Sequence, residues 1–195
     1  MPDHQKITAY HEAGHAVLAY EQLGSAAITS LTIVPNSNYL ERYLASAVIA
    51  THLETLAIFT EWGVFALREK AEAEGDTRYA GFDWNDMDDE GDRLNRQCDL
   101  QVEVCLAGHV AEEVFCDVTN DTVTDEDWET AKNFAIRFLR GDEDKAGYFA
   151  ARWKTVTELL DGKYRNAIET LVEHLLSKKT LTSDQITRII TAELA

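Results

Sequence analysis

The sequence predicts a single domain over residues 1–195, mainly helical and of the α+β type, with a small β element after the first helix. Three observations lead there. Apolar residues recur at three- and four-residue spacing along most of the chain. One short segment stands out as rich in β-branched residues. Only two prolines occur, and no stretch is dominated by Gly, Ser or Pro, so nothing reads as a linker between domains. A chain of 195 residues can bury a core without disulfide or metal staples.

Residues 6–23, KITAYHEAGHAVLAYEQL, read as the first helix, with Ile7, Tyr10, Gly14, Val17, Leu18 and Ala19 at helical spacing. Thr8 is its candidate N-cap and Gly24 its stop. Residues 27–34, AITSLTIV, read as a strand ended by Pro35 and Asn36. A second helix is expected over 41–71. The stretch 72–92 reads as a loop, with Gly75, Gly81 and Gly91 and the acidic run DWNDMDDEGD. Helical periodicity returns over 94–116 through Leu100, Val104, Leu106, Ala107, Val110, Ala111, Val114 and Phe115. A helix over 125–139 with Thr124 as N-cap follows, then the loop RGDEDKAG. Helical segments at 147–160 and 162–178 come next, and a short last helix opens at a Ser183 cap. One or two weak strands are expected besides the clear one.

Eighteen basic against 35 acidic residues give a formal net charge of -17. Such a field opposes nucleic acid and anionic membrane surfaces, whose binding needs Lys and Arg to displace counterions. Cys98, Cys105 and Cys116 are too few and wrongly spaced for a disulfide scaffold or a CxxC knuckle, and read as plain thiols of a reducing compartment. No targeting segment opens the chain, and Thr51, His52, Glu54 and Glu61 break the apolar stretch 43–65, so no membrane insertion and a cytoplasmic location are expected. The run Asp86, Asp88, Glu90, Gly91, Asp92 fails as a calcium loop because its twelfth position is Gln97, and it reads as a solvated acidic loop over 83–92.

The chemistry-bearing motif is HEAGH at His11–His15. Two histidines four apart share one helix face, and can hold one tetrahedral zinc through imidazole nitrogens. Glu12 is placed to act as base on a zinc-activated water rather than as a ligand. That combination is what metal-assisted peptide hydrolysis requires. A hydrolytic zinc needs a third protein ligand. The metzincin pattern fails, since Leu18 and Glu21 stand at its glycine and third histidine. Glu112 and Glu113 on one helix and Asp127 on the next remain, and residue chemistry alone leaves both open. Asp127 also fits a capping box with Thr124.

Several segments resemble the peptidase domain of the FtsH-type ATP-dependent zinc metalloproteases. AYHEAGHAVLAY resembles that family's zinc helix, and SLTIVP its following strand. VCLAGHVAEEVF is similar to its LAGRxAEE helix, and EDWETAKNFA to the segment that supplies its aspartate ligand. The C-terminal portion ending LLSKKTLTSDQI resembles its closing helices. The resemblance implies zinc as cofactor, His11, His15 and Asp127 as ligands, and Glu12 as catalytic base. Glu112 and Glu113 become residues that orient the ligands or pack behind them. No GxxxxGK[ST] loop occurs, so a stand-alone peptidase domain is expected. Residues 38–96 do not follow the family pattern, and His109 stands where the family has arginine. His109 reads as a packed helix histidine.

The expected function is hydrolysis of peptide bonds in peptides or unfolded segments. The alternative is a zinc-stabilised binding or regulatory module of little or no activity, which assembles with itself or with related protease subunits.

Overall fold

In the computed structural model, residues 4–25, 28–34, 46–49, 87–118, 126–138 and 145–194 are described. The first element, α1 (His4–Leu23), covers the expected helix but begins earlier, so Thr8 is not its cap: it lies inside, its hydroxyl donating to the His4 carbonyl at 3.0 Å. Its middle is covered on every side: Ala13, Ala16, Val17, Leu18 and Ala19 are all within 1% of full burial. A helix that is apolar all round belongs inside a domain, not on its surface, and α1 is the central rod of this one. It ends where Gly24 takes a positive φ of 85° and returns its N–H to the Tyr20 carbonyl at 3.0 Å.

The longest partner of α1 is α2 (Met87–Cys116). The two helices cross at Gly14, where a Cβ would lie 2.4 Å from the Ala107 carbonyl oxygen and 2.9 Å from the Ala111 Cβ. Only a glycine there lets the backbones come so near. Around this crossing pack α3 (Glu126–Phe138), α4 (Lys145–Glu158), α5 (Arg165–Lys178) and α6 (Ser183–Glu193). A π-helical turn at Leu159–Lys163 joins α4 to α5, closed by a 3.0 Å bond from Tyr164 N–H to the Leu159 carbonyl. Tyr164 is fully buried, and its hydroxyl donates to Glu21 on α1.

A three-stranded antiparallel sheet lies in the order β2–β1–β3, formed by β1 (Ile28–Thr32), β2 (Ser46–Ile49) and β3 (Thr180–Thr182). Leu31 pairs with Ala47 on one side and Leu181 on the other, and both leucines are fully buried. The sheet thereby ties the strand after α1 to the start of the last helix.

Three further expectations change. Residues 46–49 fall inside the helix expected over 41–71 but form β2, because pairing with β1 outweighs a weak helical period; the rest of 41–71 lies outside the described residues. The loop expected to end at 92 gives way at Met87, so Asp88, Glu90, Gly91 and Asp92 belong to the first turns of α2. Carboxylates at a helix N-terminus favour the helix through its dipole. The cap of the last helix is Thr182, not Ser183; its N–H donates to Gln185 Oε1 at 2.9 Å. Thr124, the expected cap of α3, lies outside the described residues. Among the described residues, no helix is long and apolar enough to cross a membrane.

Candidate metal centre

Four residues apart on α1, His11 and His15 turn toward α2, and α3 brings Asp127 to them from its first turn. His11 Nε2 and His15 Nε2 lie 3.0 Å apart, and Asp127 Oδ2 is 3.2 Å from each. The three atoms form a nearly equilateral triangle. His15 is almost closed off at 7% side-chain exposure and His11 is at 15%, while Asp127 is open at 38%. Of the three, Asp127 is the side chain that solvent reaches most.

The other ring nitrogens decide what the triangle can bind. His15 Nδ1 is 2.7 Å from the Val104 carbonyl, which can only accept, so that nitrogen carries the proton. His11 Nδ1 lies 2.9 Å from Glu112 Oε1, an acceptor when ionised. With both Nδ1 positions donating outward, both Nε2 lone pairs point at each other and at a carboxylate oxygen. Three acceptors at such distances need a cation among them. In the metal-free protein a proton serves: burial pushes the His11 pKa down, but the Asp127 and Glu112 carboxylates outweigh it and raise it to about 10. Asp127, raised by burial, is held instead well below the usual carboxylate range by His15 and His11.

The donor set fits a small divalent ion. Ligands 2.0–2.1 Å from a tetrahedral zinc are about 3.3 Å apart, close to the 3.0–3.2 Å found between these atoms. Two imidazoles and one carboxylate, with one side open, are the donors of a hydrolytic zinc site.

The structure brings His11, His15 and Asp127 together and separates the carboxylates that the spacing alone left open. Glu112 lies behind His11, on the ring nitrogen that faces away from the triangle. Glu113 is exposed and accepts a 2.9 Å bond from Trp153 Nε1, away from the histidines. Glu12 is 4% exposed, and its charge helps to raise the His11 pKa. His109 is buried, as expected of a packed histidine, yet its ring meets His11 edge-on with centroids 5.1 Å apart. His11, His109 and Glu112 form a second cluster of ligating groups that shares His11 with the first.

Gly108 is the residue that sequence reasoning passed over. A Cβ there would lie 2.5 Å from His15 Nε2, 2.6 Å from His11 Cε1 and 2.7 Å from His11 Nδ1. The bare Cα of α2 is the wall against which both imidazoles rest. A glycine inside an apolar helical run, in LAGH, was the available signal. No known family model matches the chain.

Proposed function

We propose that this chain is a zinc metallopeptidase, with His11, His15 and Asp127 holding the ion and Glu12 serving as general base. One observation carries this reading: both Nε2 lone pairs and Asp127 Oδ2 converge within 3.2 Å, while each Nδ1 has an acceptor of its own. The resemblance of the HEAGH helix and four further segments to FtsH-type peptidase domains supports it. When bound, zinc supplies a Lewis acid that acidifies water and polarises a peptide carbonyl. Glu12 takes the proton of the attacking water on its carboxylate and returns it to the leaving amine. His15 and His11 keep their tautomers through the Val104 carbonyl and Glu112. Peptides or unfolded segments are the fitting substrates, since no phosphate loop occurs in these 195 residues to drive unfolding. The odd cysteine number fits the cytoplasm.

Metal content by mass spectrometry, on protein purified without chelator or added metal, tests the site. Wild type is expected to carry about one zinc per chain. Asp127→Ala keeps two imidazoles and is expected to hold clearly less after dialysis. A wild type that stays metal-free in added zinc would sink the proposal.

The burial of Glu12 favours one rival, the zinc-stabilised module without turnover, because a base 4% exposed has little access to substrate. Unfolded casein separates the two. The hydrolase reading expects cleavage by wild type and a loss of about 10²–10⁴-fold in Glu12→Gln at unchanged zinc content. No cleavage by zinc-loaded wild type would favour the module, and cleavage that survives Glu12→Gln would remove Glu12 from the chemistry.

A further inference from the structure

We propose that His109 is a positioning residue for the metal centre, acting on His11 through Glu112. The inference rests on the zinc reading above and extends it one layer outward. Glu112 stands between two imidazoles. Its Oε1 is 2.9 Å from His11 Nδ1, and its Oε2 is 3.7 Å from His109 Nδ1. His109 and Glu112 are three apart on α2 and so share a face of that helix, the face that Gly108 allows to lie against the imidazoles.

The contact at 3.7 Å is too long for a direct hydrogen bond. It acts electrostatically on the second carboxylate oxygen, in surroundings that screen it little: the side chains are 6% and 14% exposed. Glutamate is a rotamer-rich side chain, so holding Glu112 in one rotamer beneath His11 needs a neighbour at its second oxygen. The His109 ring also packs against the His11 ring in a T-shaped contact, centroids 5.1 Å apart at an interplanar angle of 83°. His11 is thereby fixed from two directions by one pair of residues. Partners of this kind set ring orientation and ligand basicity, and their loss weakens metal binding.

Zinc affinity, measured by competition with a chromogenic chelator, tests this in a double-mutant cycle. Glu112→Gln is expected to weaken zinc binding by about 10–100-fold. His109→Phe, which keeps a ring and removes the nitrogens, is expected to weaken it by roughly 3–10-fold, and His109→Asn to restore most of the loss through its side-chain amide. In the Glu112→Gln background, His109→Phe is expected to cost nothing further, because His109 acts through Glu112. Losses that add, or a His109→Phe protein that binds zinc as wild type does, would overturn the inference. So would a second zinc equivalent lost in His109→Phe, which would make His109 a ligand. Where His109→Phe does not fold, nitrogen-15 spectra of zinc-loaded wild type decide, since the inference requires a proton on His109 Nδ1 and a bare Nδ1 excludes it. A wild type without zinc would sink the metal reading itself, whereas zinc bound equally by wild type and His109→Phe sinks only this extension.

Discussion

Gly108→Ala is expected to give a folded protein that retains no zinc after dialysis and cleaves nothing. The added Cβ would stand 2.5 Å from His15 Nε2 and 2.6–2.7 Å from two atoms of the His11 ring. Ordinary contact needs about 3.5 Å or more, so something must move by roughly 1 Å. The α2 backbone has little freedom, because it is pressed against α1 at Gly14 next to Ala107. The imidazoles therefore yield, both at once, and the His15 bond to the Val104 carbonyl is drawn out of line. A metal site tolerates about ±0.2 Å in its ligand distances, and here two of the three proposed ligands shift together. Circular dichroism and zinc content, read on one sample, check it. A folded Gly108→Ala protein with a full zinc equivalent would show that α2 does not wall the site.

Gly14→Ala is expected to act on stability. The obstacle at this crossing is backbone, the Ala107 carbonyl oxygen at 2.4 Å, with the Ala111 Cβ behind it at 2.9 Å. Neither can turn aside as a flexible side chain would. Overpacking of this kind costs about 3 kcal/mol at the upper end of its usual range, and the helix preference for alanine over glycine offsets about 1 kcal/mol. A net loss of about 2 kcal/mol lowers the melting temperature of a chain this size by roughly 4–8 °C. Thermal melts of the metal-free proteins measure it. An unchanged or higher melting temperature would mean that α1 and α2 do not cross as closely as described.

Local pattern carried much of the fold. The helices over 6–23 and 94–116 were legible because their own residues repeat at helical spacing, and the meeting of His11 and His15 was legible because residues four apart share a helix face. The strand at 46–49 was not, since a four-residue strand exists by virtue of a partner elsewhere in the chain. The start of α2 was misread for another reason: clustered aspartates suggest solvated coil, yet the same charges suit a helix N-terminus. At the site, nothing local distinguished Asp127 from Glu112, as both are acidic residues on helices. Which carboxylate meets the Nε2 side of His11 and which the Nδ1 side depends on how α2 and α3 lie across α1. Only the family resemblance had separated them.

The three atoms of the triangle come from α1 and α3, and His15 and Asp127 are 112 residues apart in the chain. No short segment can therefore assemble the site; it exists only where the fold does. An ion that binds the folded chain alone adds its binding energy to the folding energy. Each tenfold rise in free zinc above the dissociation constant adds about 1.4 kcal/mol to stability. Unfolded chains are continually removed by proteases. The amount of this protein a cell keeps would then rise and fall with its supply of zinc, whether or not the site is turning over substrate.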